Sequence, residues 1–518
     1  MGQQPVPVPT PTPPPIPAWV DAMWAPTPPT PPRRGRGLLW AVLALGAMLC
    51  LAGAGVSYWW TQRGPDHPDE WDPRVVDLVA FVEEERGAHF QHPVTVNFLD
   101  AEQYAEVTSM PAEGPDEEQL SLAEDQVAMF RALGLMSGEV DLLSSSEDLF
   151  GAGTAAFYDS LTEQVYVNSP AGESLSVSAA ATVVHELTHV HQDQIAGLGD
   201  ALLDDESSTT DRHDAHLAIV EGDATVVEES YLASRTDAEL DAYAEEWGAL
   251  ADEAQAAIDA AEVPGAMDLL FQVPYSLGPA YVLFADAVGD RAEIDAALGG
   301  DVPPSVVVLD LLTGGRPEVV RPEVPAHDGE ELDVDTVGAM TWLVVLGGAS
   351  TPDQALAAAS TWRGDRFVQY RDGRDRVCIA ATVAVSDELH GEPVAAGSTF
   401  GEAAQRWAVT LPPEADASAV TSDDEVQLRS CDPGAGVEIA AASSQGAADA
   451  VGYASLLNTI TAQVVAAGAE LDAARCYGRG MLERFGLNRL SDDVELFESD
   501  EFTGAATTVA AACDVPGG

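Results

Sequence analysis

Lysine is absent from this chain: all 23 basic residues among its 518 are arginine, and they face 86 acidic residues, a formal net charge of −63. So little positive charge excludes a general nucleic-acid binder, which needs an electropositive face against phosphate. The missing lysine has two readings. One is a GC-rich genome, whose codons favour arginine and alanine; the other is a high-salt habitat, where a dense carboxylate surface stays hydrated and its self-repulsion is screened. Cysteine is scarce as well. Of five, Cys50 lies in an apolar stretch, and Cys378, Cys431, Cys476 and Cys513 follow much later. None has C-x-x-C spacing, so the common redox and zinc motifs are excluded and a structural role remains. Four cysteines allow three pairings. Pairing between sequence neighbours, Cys378 with Cys431 and Cys476 with Cys513, is the expectation. Hydrophobic residues are plentiful at 46%, so most of the chain can build a core.

The N-terminus is a separate case. Thirteen of the first 32 residues are proline, which removes backbone donors and favours extended polyproline conformation. Residues 1–36 therefore read as a disordered tail. Arg33, Arg34 and Arg36 then precede Gly37–Trp60, a run of 24 residues without charge. At about 1.5 Å per residue, a helix of that length crosses the roughly 30 Å hydrocarbon layer. Trp40 lies near one edge and Tyr58, Trp59 and Trp60 at the other, where interfacial aromatics belong. Arginines before and acids after predict a single-pass anchor at residues 37–60, a cytoplasmic N-terminus and an extracellular remainder. The rival is a cleaved signal peptide ending near Ala52-Gly53-Ala54, against which the long leader and long apolar run both count.

Beyond the anchor the pattern alternates between periods. Residues 72–86 predict an amphipathic helix through Val75, Val76, Leu78, Val79 and Val82, and His92–Leu99 alternates as a strand. Helices are predicted at 117–135, 174–195, about 213–234 and about 237–261. Phe157-Tyr158-Asp159 and Val165-Tyr166-Val167 flank a polar turn as a hairpin. Phe367–Tyr370 and Val377–Ala380, around Asp372-Gly373, predict another. Residues 445–486 read as mostly helical.

One motif carries chemistry. His185-Glu186-Leu187-Thr188-His189 is H-E-x-x-H inside a predicted helix. Histidines at i and i+4 share one face, so both rings reach one metal ion, and Glu186 beside them can take a proton from a metal-activated water. A catalytic zinc needs a third protein ligand. A histidine six residues past His189 is excluded, because Ile195 stands there. Glu221, 32 residues after His189 in the apolar run Ile219-Val220-Glu221-Gly222-Asp223-Ala224, supplies a carboxylate that wants a cation if buried. Glu228, two turns on, is the weaker candidate, and Asp223 is expected to point elsewhere.

His185–Gln194 (H-E-L-T-H-V-H-Q-D-Q) followed by Glu221-Gly222-Asp223-Ala224 resembles bacterial zinc metallopeptidases of the gluzincin type. Those read H-E-L-T-H-A-L-Q-D-Q and then E-G-D-A. The 156–167 hairpin, Pro274–Gly278 and Trp362–Arg366 resemble further segments, so the likeness covers roughly residues 90–380. It implies an α+β fold, a zincin-like metallopeptidase domain in which a small sheet packs on the helix bundle that carries H-E-x-x-H. It also implies zinc held by His185, His189 and Glu221, with Glu186 as general base and a peptide or protein as substrate. Two departures stand out. His191 occupies a usually apolar position on another helix face. Thr225 stands four residues after Glu221, where many gluzincins place an acid that orients a histidine.

Five side expectations complete the reading. His213 and His216 are taken as surface histidines rather than substrate contacts. Tyr275 is taken as a packed tyrosine, with an oxyanion donor as the alternative. Asp193 is a candidate to hydrogen-bond a ligand histidine. Arg363-Gly364-Asp365 is assigned no adhesive role, with Gly364 ending a helix. The expected organisation is a tail (1–36), a transmembrane helix (37–60), an extracytoplasmic zinc metallopeptidase-like domain (61–415) and a mostly helical, disulfide-bonded region (416–518). The expected function is a membrane-anchored zinc peptidase. Its rival is a non-catalytic cell-surface module whose zinc site is structural or vestigial.

Overall fold

Val75, Leu78, Val79 and Val82 recur at three- and four-residue spacing, and the helix they start, α1 (Val76–Arg86), turns all four inward. They join a core under a three-stranded sheet of β1 (Thr95–Leu99), β2 (Ala156–Asp159) and β3 (Gln164–Asn168). The structure, a computed structural model, describes residues 67–516 apart from 109–114, 154, 170–173, 199–208, 314, 395–397, 423, 441–444 and 498. The strand order is β1-β3-β2, with β1 parallel and β2 antiparallel to β3, which leaves β2 on an edge.

Across the face of this sheet lies α2 (Val177–Ala196), the H-E-x-x-H helix. Ser176 caps it by accepting from Ala179 N–H at 3.2 Å, and Gly197 ends it in the left-handed conformation at φ 72°. Ala181, Val184, Leu187 and Val190 of α2 pack with Val96, Val165 and Val167 of the sheet. Each of the valines and leucines among them contributes on the order of 1.5–3 kcal/mol of burial. Val227 and Tyr231 close the same core from α3 (Thr210–Ala233).

Behind α3 runs α4 (Gly265–Val288), two prolines included. The two helices touch backbone to backbone: a Cβ on Gly222 would overlap the Gly278 carbonyl, and one on Gly278 would overlap the Ala218 carbonyl. This helix is among the most apolar, yet it carries Asp268 and Asp286 and buries Leu277 and Val282 in the larger core.

A second, five-stranded sheet was not anticipated in extent. It comprises β4 (Glu330–Asp335), β5 (Trp362–Arg371), β6 (Val377–Val385), β9 (Ser418–Thr421) and β10 (Glu425–Cys431), in the order β4-β5-β6-β10-β9, with every neighbour antiparallel. A short hairpin, β7 (Glu388–Leu389) and β8 (Glu392–Pro393), stands apart. Helices α5 (Gly338–Gly347), α6 (Gln445–Ala466), α7 (Leu471–Phe485) and α8 (Asp500–Ala512) complete the larger core. Strands β9 and β10 begin the region expected to be mostly helical, and β10 pairs with β6 across residue 415. The two disulfides join sequence neighbours as expected: Cys378–Cys431, a directly opposed pair of β6 and β10, and Cys476–Cys513.

One expectation is corrected. Among the described residues no helix is long and apolar enough to cross a membrane. The single-pass anchor, and with it the membrane partner and the cell-membrane placement, is therefore not supported. The apolar helices that are described, α4 and α5 among them, are apolar because they fill a protein core. The run 37–60 and the proline-rich tail lie outside the described residues. The α+β class stands without the membrane element.

Candidate metal centre

Helices α2 and α3 cross so that His185, His189 and Glu221 meet. Nε2 of His185 and Nε2 of His189 each lie 3.3 Å from the same Oε2 of Glu221. All three side chains are buried. The candidate donor atoms lie within 4.8 Å of one another. With zinc–donor bonds of about 2.0–2.1 Å at tetrahedral angles, two ligands of one ion stand roughly 3.4 Å apart. The observed spacing fits that figure.

The outer nitrogens of both rings are held. Nδ1 of His185 donates to Oε2 of Glu228 at 3.2 Å, and Nδ1 of His189 donates to Oε1 of Gln192 at 2.9 Å. With those protons on Nδ1, both Nε2 lone pairs face the Glu221 carboxylate. Three electron-pair donors converge there with no proton of their own, a set that fits a divalent cation. Without one, protons compensate. Burial pulls His185 down, but hydrogen bonds to Glu221 and Glu228 outweigh it and hold the ring up to about 10. Burial raises Glu221, and the His189 charge and the bonds to both histidines reverse this to about 2.

Glu186 follows His185 directly and is 1% exposed. Burial pushes its carboxyl up, against the pull of His189 and His185. Its Oε2 has no hydrogen-bond partner among the described residues.

Gln192 is tied down in turn. Its Nε2 donates to the Val220 carbonyl at 2.9 Å and to Oδ2 of Asp223 at 2.8 Å. Asp223 is fully buried, lies 3.1 Å from Nη1 of Arg86, and also meets Arg291. Burial raises its carboxyl while Arg86 opposes the rise. A chain thus runs from the end of α1 through Asp223 and Gln192 to His189.

Several expectations change here. Asp193 does not reach a ligand histidine; it accepts from the Tyr158 hydroxyl at 2.8 Å, and Gln192, one residue earlier, takes the histidine instead. Positions i+3 and i+4 flank His189 on either side of its face; Gln192 lies on the side toward Asp223 of α3 and Asp193 on the side toward Tyr158 of β2. Glu228, the weaker candidate, lies outside the group of three and reaches the other nitrogen of His185, a contact that Thr225 cannot make. His191 points away and meets the Ala88 carbonyl at 3.1 Å. His216 is buried, not superficial, and burial lowers it to about 4. Tyr275 is buried beside Leu217 and Phe271. Asp365 of the Arg-Gly-Asp tripeptide is buried under the indoles of Trp342 and Trp362, and Gly364 sits at a bulge in β5 rather than at a helix end.

Arg86 and Arg291 were missed. The signal was the acid after Gly222, a buried charge in search of a cation, but nothing in chain order says which arginine comes to it. No family model, curated protein or solved structure matches this chain.

Proposed function

We propose that this chain is a zinc-dependent peptidase. The observation that carries the reading is the convergence of His185 and His189 Nε2 on one oxygen of Glu221 at 3.3 Å each, beside the buried Glu186. The motif resemblance to gluzincin metallopeptidases supports it, as does the three-stranded sheet with an open edge strand on the H-E-x-x-H helix.

Zinc, when bound, supplies Lewis acidity for a peptide carbonyl and makes water acidic enough to ionise near neutral pH. His185, His189 and Glu221 hold the ion. Glu228 and Gln192 fix the tautomer and angle of the two rings. Glu186 takes the proton of the attacking water and returns it to the leaving amine.

Ligands set metal affinity whereas the base acts on water, so two variants separate the roles. Glu186→Gln keeps zinc and loses cleavage of a broad peptide library by about 10²-fold or more. Glu221→Gln loses both. Zinc held by Glu221→Gln as tightly as by the parent would refute the ligand set. A parent that binds zinc and cleaves nothing would favour a structural zinc site instead.

A further inference from the structure

A second set of metal-type donors lies on the far side of the small sheet's turn. Nδ1 of His67 and Nε2 of His92 stand 3.7 and 3.4 Å from one oxygen, Oε2 of Glu163. The candidate donor atoms fall within 4.8 Å of one another, as at the first centre. The two imidazoles lie 3.7 Å apart between centroids, tilted by 32°. The side chains are 30, 30 and 22% exposed; His67 is an exposed residue, and His92 and Glu163 are half-buried. Oε2 of Glu163 is inaccessible and has no hydrogen-bond partner among the described residues.

The surroundings aim these groups. Glu163 closes the β2–β3 turn at φ 50°, a left-handed position where glycine is the unstrained residue. Asp159 pins that turn, accepting from Leu161 N–H at 2.9 Å and from the Thr162 hydroxyl at 2.6 Å. His92 is held by the last turn of α2: Gln194 Nε2 donates to the His92 carbonyl at 3.0 Å, and Gln194 Oε1 accepts from Gln91 N–H at 2.7 Å. Nδ1 of His92 lies 3.3 Å from Nε2 of Gln194 and 3.4 Å from the Pro93 carbonyl, and its Nε2 faces Glu163.

We infer that His67, His92 and Glu163 form a second site for a divalent transition-metal ion, with zinc the natural occupant of a two-imidazole, one-carboxylate set. The donor spacings of 3.4 and 3.7 Å approach the roughly 3.4 Å that a tetrahedral zinc imposes. Three protein ligands leave the fourth position to water on the exposed side. The ion fastens the chain ahead of α1, and the start of β1, to the turn beside edge strand β2. The site shares helix α2 with the first centre but none of its ligands, so it stands independently of the peptidase reading.

The test counts zinc. Full-length, tag-free protein is stripped with chelator and titrated with zinc chloride, and bound metal is measured by mass spectrometry and calorimetry. Two equivalents are expected in the parent, the second weaker. Glu163→Gly removes the carboxylate yet leaves the turn its easiest residue, so the fold persists. It and His67→Ala should weaken the second equivalent at least tenfold and spare the first. His185→Ala should lose the first and keep the second. A second equivalent unchanged in Glu163→Gly overturns the site. So does a parent that binds one equivalent, lost in His185→Ala, or none at all. A single equivalent lost only in Glu163→Gly upholds this site and refutes the first.

Discussion

Oε2 of Glu228 lies 3.2 Å from Nδ1 of His185, while Glu221, seven residues earlier on the same helix face, lies 3.3 Å from Nε2 of that ring. One imidazole is thus gripped on both nitrogens by two carboxylates of α3. The outer one accepts from Nδ1 and so leaves the Nε2 lone pair to a metal ion held beside Glu221. Glu228→Ala should therefore lower zinc affinity by about 10- to 100-fold without removing a ligand. Gln192→Ala should act similarly through His189. Competition with a chromophoric chelator measures both, and unchanged affinity in either variant would show that its histidine needs no orienting partner.

The contact of α3 with α4 predicts a packing effect on the metal centre. Gly278→Ala places a methyl group into the Ala218 carbonyl, and backbone cannot move aside cheaply. Destabilisation of about 1–3 kcal/mol is expected. A small displacement of α3 also moves Glu221, so zinc affinity should fall in parallel. Thermal unfolding with and without zinc checks this, and a Gly278→Ala variant as stable as the parent would contradict it.

Asp214 of α3 carries a pH signature. Burial, with help from nearby Asp211, pushes its carboxyl up to about 7, and Thr341 donates to it at 3.3 Å. The unfolded chain releases the proton near pH 3.9. Between about 4 and 7 the folded state thus binds more protons, so this contribution to stability is complete at pH 4 and is lost as pH rises toward 7. Its size is at most a few kcal/mol, since the residue keeps partial exposure. Asp214→Asn should flatten the stability difference between pH 4.5 and 7.5. Urea unfolding at the two values gives the answer, and an undiminished difference rules the assignment out.

The Cys378–Cys431 bond closes a loop of 53 residues within one antiparallel pair. In the loop-entropy account, a closure of that length contributes about 4 kcal/mol. Replacing both cysteines by serine should reduce stability by about 2–4 kcal/mol and leave zinc stoichiometry alone, because the strands remain paired and the metal centre lies in other elements. Altered zinc binding in that variant would show that the two cores are coupled.

The H-E-x-x-H helix, the two long helices after it and the first hairpin were legible in the chain because their information is local. An i, i+4 histidine pair on an apolar helix, capped by Ser176 and ended by Gly197, needs no distant partner to be recognised. Glu221 was legible for a related reason, as a carboxylate in a largely apolar run, two positions before Asp223. What surrounds these residues was decided by tertiary contacts alone. Gln192 rather than Asp193 pairs with His189 because α3 holds Gln192 through Asp223 while β2 takes Asp193 through Tyr158. Arg86 reaches Asp223 across 137 positions only because α1 and α3 pack on the same core. The β5–β6 hairpin of the five-stranded sheet was legible too, but the rest of that sheet was not, because β6 finds β10 by non-local pairing. Likewise, His67, His92 and Glu163 share no spacing rule, and only the folded turn of the small sheet brings them to one point.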